Sequence, residues 1–320
     1  MCFGLLSRFR CCLLGLCSAL AMMLAADAMA ASVVIVLSED SASYHEVSER
    51  IRAGFSSLGA EAPALSVMQV QALQTGGGAL AATDVIVPVG VHAIEAVAKL
   101  KLHAPIFAIL APKSAIDQIA KDFPALDART FSALYLDQPA PRRMALIRHA
   151  LPGRKRVGVL LGPESSDTLR GLQVAAREQG LSLEAERVAN VDELLPALRR
   201  VLVESDALLV LPDAQIVNKN TAQSILLTSY RAQDPVVAYS KSYVNAGALA
   251  AVYSTPAQIG QQTAELLARM FQTKPLSLPA PQYPKYFSVS INYQVARSLG
   301  LAIQDEATLL QRIKAGTERE

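Results

Sequence analysis

Short apolar segments separated by helical segments constrain the fold of this chain more than any other feature. Residues 206–260 contain three of them, at 207–211, 235–239 and 248–253. Each is rich in Val, Leu or Ala and is too short for a helix with its own core, which is typical of strands buried on both faces. Residues 220–232 have a helical pattern. The first two strands and this helix therefore predict a β-α-β unit with parallel strands.

The same alternation occurs along the rest of the chain, in two blocks. After Pro139-Ala140-Pro141 the pattern restarts, with strands expected at 156–161 and 182–188 before the stretch described above. In the first block we predict strands at residues 32–37, 63–69, 85–89, 105–110 and 130–136. The fold class that this pattern predicts is α/β, with two doubly wound parallel-sheet lobes.

The first thirty residues have the three parts of a secretory signal peptide. Arg8 and Arg10 give a positive start, residues 11–26 form an apolar run, and Ala28-Met29-Ala30 has the small-x-small pattern of a cleavage site. We therefore predict that residues 1–30 are a signal peptide and that the mature protein is periplasmic. A transmembrane anchor is the alternative, but the apolar run is short and is bounded by polar residues.

Composition and residue spacing argue against several classes of function. The net charge is only +2 and no basic stripe occurs, which argues against nucleic acid as a partner. All four cysteines lie within the leader, and the four histidines show no metal-ligand spacing. The glycine run at 76–78 is not followed by the Lys-Ser or Lys-Thr of a phosphate-binding loop. No G-x-S-x-G motif occurs. We expect no metal, no cofactor and no enzymatic activity.

Several segments in the second half of the chain resemble one known family. They are SDALLVLPD at 205–213, the strand at 235–237, NAGALAAV at 245–252, the helix start at 258–262 and FSVSINYQVARSLGLAI at 287–303. This ordered set is similar to the periplasmic substrate-binding proteins of ABC transporters, in the subgroup typified by tryptophan- and tyrosine-binding components. The resemblance covers roughly residues 139–303 well and the amino-terminal half loosely.

The resemblance implies a division of the chain into two discontinuous lobes joined by hinge strands, as in the type I periplasmic binding fold. The chain would cross between lobes near Leu136, Tyr253 and Tyr283. The N-terminal lobe would then consist of residues 31–136 plus 254–283, and the C-terminal lobe of residues 137–253 plus 284–320. The break at Pro139-Ala140-Pro141 supports the first crossing independently of the resemblance.

Polar residues follow most of the predicted strands, and in open parallel sheets ligands bind beyond the carboxyl ends of the strands. Asp213 is the strongest candidate to accept a hydrogen bond from a ligand ammonium, with Glu164 and Asp137 as further acids. The serines would help to hold a carboxylate at helix starts. The alternative for Asp213 and for the serines is helix capping, and Asp137 is also a candidate hinge residue. The full set of candidate ligand-binding residues is Ser41, Ser43, Tyr44, Gly90, His92, Ser114, Asp137, Glu164, Ser165, Asp213 and Ser240.

Tyrosines and one departure from the family bear on the ligand. Tyr135, Tyr239 and Tyr243 are candidates for lining a cleft, and Tyr135 and Tyr239 fit equally well in the core. The resembling proteins usually carry a Thr after the third strand and an Asp-Pro after the fourth, whereas here residues 90–92 read Gly-Val-His and residues 111–114 read Ala-Pro-Lys-Ser. The ligand need not be an aromatic amino acid, and we expect a small zwitterion or organic anion.

The function that these observations predict is extracytoplasmic binding of a small organic solute for an ABC-type uptake system. The resemblance implies an inner-membrane permease as partner, and we expect a monomer. A ligand-binding sensor that reports to a membrane receptor is an alternative that sequence does not separate from transport. A secreted α/β hydrolase is a weaker alternative, because the chain lacks a nucleophile, base and acid in a recognisable set.

Overall fold

The computed structural model describes residues 31–56, 59, 62–74, 80, 82–273 and 275–317. The predicted signal peptide at 1–30 and the glycine run at 76–78 lie outside these residues. No helix within the described ranges is long and apolar enough to cross a membrane.

The N-terminal lobe contains a five-stranded sheet in which all strands are parallel. The strand order is β2-β1-β3-β4-β5. The strands are β1 Ser32–Leu37, β2 Ala64–Gln69, β3 Val85–Val89, β4 Ile106–Ala111 and β5 Phe131–Tyr135. The helices that follow them are α1 Ala42–Ser56, α2 Val91–Lys99 and α3 Lys113–Asp122, with a short 3-10 helix at Val70–Gln74.

The C-terminal lobe contains a six-stranded sheet with the order β11-β10-β9-β8-β6-β7. Its strands are β6 Arg156–Leu161, β7 Ser182–Arg187, β8 Ala207–Leu209, β9 Val236–Ala238, β10 Ala250–Tyr253 and β11 Ser288–Ile291. Its helices are α4 Ala140–Ala150, α5 Leu169–Glu178, α6 Val191–Glu204, α7 Lys219–Arg231, α8 Lys241–Ala246, α10 Tyr293–Ser298 and α11 Glu306–Thr317. The edge strand β11 pairs with β10 in the antiparallel direction, while the other pairs are parallel. The predicted α/β architecture with two doubly wound sheets is confirmed, and the antiparallel edge is an addition to it.

Helices cover both faces of each sheet, which explains why the strands read as continuous apolar runs. In β1, Val34 and Val36 belong to one apolar cluster, whereas Val33, Ile35 and Leu37 belong to the cluster on the opposite face. Each side chain of such a strand leaves water on folding, and burying one Val or Leu side chain fully contributes about 1.5–3 kcal/mol. The sheets are therefore cores, and polar side chains are found beyond the strand ends.

The chain passes between the two sheets three times. After β5 it enters the C-terminal lobe through α4. After β10 it forms α9 (Pro256–Phe271), which packs against α1 of the N-terminal lobe. Gln282 then bridges to Leu134 in β5 before the chain returns to form β11. We propose the lobe limits 31–136 plus 254–283 and 137–253 plus 284–320 on this path.

Candidate functional site

Each sheet has one point at which the order of its strands reverses. In the N-terminal lobe the reversal lies between β1 and β3, and in the C-terminal lobe it lies between β6 and β8. Loops diverge at such a point and leave a crevice at the carboxyl ends of the strands. The residues that follow these four strands are therefore the leading candidates for ligand contacts.

In the N-terminal lobe, Ser38 organises the loops at this point. Its hydroxyl donates to the carbonyl of Val89 at 2.8 Å and accepts from the N–H of Ala93 at 2.8 Å. This second bond caps α2, whose N-cap residue Gly90 has no side chain. Ser38 was not among the predicted site residues. A strand-end serine that caps the helix of a neighbouring strand has no local sequence signal, because the two segments are 55 residues apart.

Gly90 is required at its position for two reasons. Its φ of 86° lies in the left-handed region that favours glycine. A Cβ there would also lie 2.6 Å from the Tyr44 hydroxyl and 2.8 Å from the Ser38 hydroxyl. The pKa of Tyr44 is raised, first by burial and then by the charge of Glu39, while a hydrogen bond with Ser38 opposes the shift. The structure thus brings Tyr44 and Gly90, two of the candidate residues, together.

Four other predicted residues of the N-terminal lobe lie at the starts of helices. Ser41 precedes α1, and its carbonyl accepts from the N–H groups of Tyr44 and His45, both at 3.1 Å. The side chains of Ser43 and His92 are exposed on the first turns of α1 and α2, and Ser114 is half-buried on the first turn of α3. These residues lie beyond the carboxyl ends of β1, β3 and β4.

In the C-terminal lobe, Asp213 is enclosed by the loops that follow β6 and β8. It is 2% exposed. One of its oxygens, Oδ2, accepts from the N–H groups of Glu164 and Ser165 at 3.1 and 3.0 Å and from the Ser165 hydroxyl at 2.8 Å. The other oxygen accepts from the N–H of Gln215 at 3.2 Å. A Cβ on Gly162 would lie 2.5 Å from Oδ2, so the loop approaches the carboxylate as closely as a glycine allows.

This geometry favours the capping role of Asp213 over the predicted contact with a ligand ammonium, because four protein donors already hold the carboxylate. Glu164 has a similar structural bond, since its carboxylate accepts from the N–H of Ala214 at 3.0 Å. Ser240 caps α8 by accepting from the N–H of Tyr243 at 3.2 Å. The structure therefore brings Glu164, Ser165 and Asp213 together, as a tie between two loops.

The first crossing between lobes contains a buried ion pair. Asp137 lies 3.3 Å from Arg143 of α4, with the two side chains 11% and 9% exposed. Asp137 also accepts from the backbone N–H of Lys113, the first residue of α3. The carboxylate thus joins the start of α3 to α4, at the first passage of the chain between the two sheets. The sequence did not identify Arg143 as the partner of Asp137, because a basic residue within a helix carries no signal of which acid it pairs with.

Two tyrosines and a lysine lie beside this ion pair. The rings of Tyr135 and Tyr283 meet edge to face with centroids 5.2 Å apart, and the Lys113 ammonium lies 5.6 Å from the Tyr135 centroid. Lys113 also forms an ion pair with Asp117, one helical turn further along α3. Burial acts to lower the pKa of Lys113, but the bond to Asp117 and its charge outweigh this, and the pKa is raised. Burial is the main cause of the raised pKa values of Tyr135 and Tyr283.

Lys113 and Tyr283 were not among the candidate residues predicted from the sequence. Lys113 stands directly before the predicted Ser114, and its position after a strand end was the available signal. Tyr283 lies in a proline-rich segment that was interpreted as a crossing between lobes. Its contact with Tyr135 joins residues 148 positions apart, which no local pattern reveals.

The three crossings are joined to one another by buried polar groups. The Gln138 amide donates to the Ser254 hydroxyl at 2.8 Å, and that hydroxyl donates to the carbonyl of Tyr286 at 2.6 Å. Arg142 donates to the Gln138 side-chain oxygen at 3.0 Å and to the carbonyl of Pro284. The segments that connect the lobes therefore form one hydrogen-bonded unit.

Two cavities lie away from the strand ends. One, of about 410 Å³, is between α1 and α9, and the other, of about 510 Å³, is where α4 and α5 end beside α11. Among the residues that the structure describes, no group of three or more His, Cys, Asp or Glu side chains is arranged to hold a metal ion.

Comparison with protein families gives a match over residues 80–312 to a family described as ABC transporter substrate binding protein. A comparison with curated protein sequences gives no match.

Three solved structures of similar fold are informative. The first is an ABC domain in complex with L-Trp from Streptococcus pneumonia, with 18% identity and a TM-score of 0.61 over 88% of this chain and 98% of that chain. The second is a conserved domain protein from Vibrio cholerae, with 21% identity and a TM-score of 0.60 over 88% and 98%. The third is a ligand-free, open substrate-binding protein with adhesive properties from Clostridium difficile, with 14% identity and a TM-score of 0.68 over 86% and 96%. At these identities the likeness shows the fold, which is the type I periplasmic binding fold.

Proposed function

Because the chain belongs to the ABC transporter substrate binding protein family, we propose that it is the extracytoplasmic solute-binding component of an ABC-type uptake system. Proteins of this kind bind a small-molecule ligand and work with a membrane permease. The ligand of this chain is a small organic solute held between the lobes, and its role is binding and delivery without chemical change.

The observation that carries this proposal is the arrangement of the two sheets about three crossings. Both sheets have a strand-order reversal that leaves a crevice at carboxyl strand ends. The crossings bring α9 to the N-terminal lobe and β11 to the C-terminal lobe, so the same set of segments connects both lobes. Such a pair of lobes can close on a ligand by a hinge motion.

The leader at residues 1–30 supports an extracytoplasmic location, because it has the charge, apolar length and cleavage pattern of a signal peptide. We expect the amino terminus of the periplasmic protein to be Ala31. Amino-terminal sequencing of that fraction is the measurement, and an intact Met1 in the membrane fraction would contradict it.

The test of the proposed function is native mass spectrometry on protein isolated from the periplasm. We expect a folded monomer that carries the additional mass of one small solute, and we expect this mass to be lost when the protein is denatured. A folded protein that carries no solute, and that binds none when incubated with a metabolite extract, would contradict the proposal.

A further inference from the structure

The three carboxylates that the sequence offered to a ligand ammonium are all engaged within the protein. Asp213 accepts from four donors, Asp137 is paired with Arg143, and Glu164 accepts from the N–H of Ala214. An ammonium could take one of these acids only by displacing bonds that hold a loop or a lobe crossing together. A zwitterionic ligand would gain little from them.

Lys113, at the carboxyl ends of β4 and β5, differs from these acids because its ion pair is accessible to a ligand. The side chains of Lys113 and Asp117 are 41% and 44% exposed, so their ion pair is in contact with water. An ion pair with this exposure is weak, because water screens the two charges. The Lys113 ammonium has three donor hydrogens, and one bond to Asp117 leaves others available to a ligand.

An aromatic surface adjoins this lysine. Tyr283 is 38% exposed, and its ring is fixed by the edge-to-face contact with the buried Tyr135 ring. Because the tyrosine ring is already held in place, the flat ring of a ligand can pack on it with little loss of side-chain conformational entropy. The Tyr283 ring and Lys113 lie beside the same buried groups. These are the Tyr135 ring and the ion pair of Asp137 with Arg143.

We infer that the ligand is a carboxylate that bears a flat ring and has no ammonium group, with its carboxylate at Lys113 and its ring on Tyr283. This inference rests on the proposed function and selects one of the two ligand classes that the sequence left open. Asp117 sets the strength of the site, because it competes with the ligand carboxylate for Lys113.

Glu39 is the acid that most directly opposes this inference. It follows β1, is exposed, and lies close enough to Tyr44 to raise the pKa of its hydroxyl. An ammonium held by Glu39 would remain in water and would be bound weakly. Glu39→Gln is therefore expected to leave the affinity unchanged, and a loss of tenfold or more in this variant would show that an ammonium is bound there.

The first experiment compares acids with amino acids that differ only in the α-amino group. The probes are 3-phenylpropanoate, 3-(4-hydroxyphenyl)propanoate and 3-(indol-3-yl)propanoate, each beside phenylalanine, tyrosine or tryptophan, with hexanoate as the acid without a ring. Titration calorimetry on unfolded and refolded, solute-free protein gives the dissociation constants. We expect at least one ring acid to bind about tenfold or more tightly than its amino acid, and roughly threefold to tenfold more tightly than hexanoate.

The second experiment removes one charge of the site at a time. For the ring acid that binds best, Lys113→Met should weaken binding by about tenfold, whereas Asp117→Asn should strengthen it by roughly twofold to fivefold. Lys121→Met and Asp122→Asn, at the other end of α3, make the same charge changes and should have no effect. Circular dichroism and melting temperature identify any variant that fails to fold, and Tyr283→Leu then serves as an independent test of the ring contact.

The outcomes separate this inference from the proposed function. Binding of an amino acid as tightly as its ring acid, weaker acid binding in Asp117→Asn, or no binding of any ring acid would each overturn the inference. In each case a solute seen by native mass spectrometry on the periplasmic protein would leave the proposed function standing.

Discussion

Asp213 shows how the surroundings of a residue decide its role once its position in the fold is fixed. Its carboxylate holds the loop after β6 to the loop after β8, and a neutral amide cannot accept from all four donors. We expect Asp213→Asn to lower the free energy of unfolding by roughly 2–3 kcal/mol, because buried donors lose a charged acceptor. Denaturant unfolding is the measurement. Asp167→Asn, on the exposed part of the same loop, should change it little. Unchanged stability with loss of ligand binding would instead support the ammonium role.

Asp234, two residues before β9, makes stability depend on pH. Burial raises the pKa of its carboxyl to about 6, although Arg154 at 3.6 Å acts in the opposite direction and Asp206 and Arg156 also contribute. Its Oδ2 has no hydrogen-bond partner among the described residues. Between the unfolded pKa, near 3.8, and 6 the folded state binds more protons than the unfolded state, so stability falls as pH rises through this range.

We expect Asp234→Asn to remove most of this dependence and to be at least as stable as the natural protein at pH 7. The effect is at most about 3 kcal/mol, from a shift of about two pKa units. Thermal unfolding from pH 4 to pH 8 is the measurement, with Asp167→Asn as the charge-matched control. If the melting temperature depends on pH in the same way in both variants, the ionised form of Asp234 does not destabilise the folded state.

At the scale of elements, the close approach of α1 and α9 depends on glycine. A Cβ on Gly260 would lie 2.7 Å from the Val47 carbonyl oxygen and 2.8 Å from the Cβ of Arg50. Because the first of these is backbone, α1 would have to move, and we expect Gly260→Ala to cost about 1–3 kcal/mol. Gly171 in α5 has open space at its Cβ, so Gly171→Ala should stabilise by up to about 1 kcal/mol. Denaturant unfolding is the measurement. If both substitutions change the free energy of unfolding in the same direction, the packing argument is wrong.

The sequence predicted most elements because strands buried on both faces have an unbroken apolar pattern. It did not predict α3, in which only Ile116 and Ile119 are buried, or α8, which has six residues. Short or weakly amphipathic helices leave little periodic signal. The antiparallel direction of β11 was also not predicted, because direction depends on how the chain returns from α9.

The sequence predicted the places of the candidate residues in the fold better than their contacts. Gly90 and Asp213 lie beyond strand ends and Tyr44 lies on the first turn of α1, as the alternation of strands and helices indicated. Their partners did not follow from local patterns, because Ser165 is 48 residues from Asp213 and Tyr283 is 148 residues from Tyr135. Which carboxylates are free to meet a ligand depends on those distant partners.

For the whole molecule, we expect the lobes to close when solute binds. The crossings are short and joined by the bonds among Gln138, Ser254 and Tyr286, so closure should be a rotation of two intact lobes. Small-angle scattering should give a smaller radius of gyration after the co-purified solute is added back to solute-free protein. Residues 31–320 contain no cysteine, so unfolding this part of the chain to remove the solute carries no risk of wrong disulfides. An unchanged radius at saturation would count against closure.

The packing of α9 on α1 also has a consequence for synthesis of the protein. Helix α1 ends at Ser56 and α9 begins at Pro256, so the ribosome adds roughly 200 residues before the partner of α1 exists. At about 5–20 residues per second this takes roughly 10–40 s. Strand β10 must likewise wait for β11. The N-terminal lobe therefore cannot complete its core before α9 is made, nor the C-terminal lobe before β11 is made, so each lobe leaves apolar surface exposed during much of its synthesis, when it is prone to aggregate.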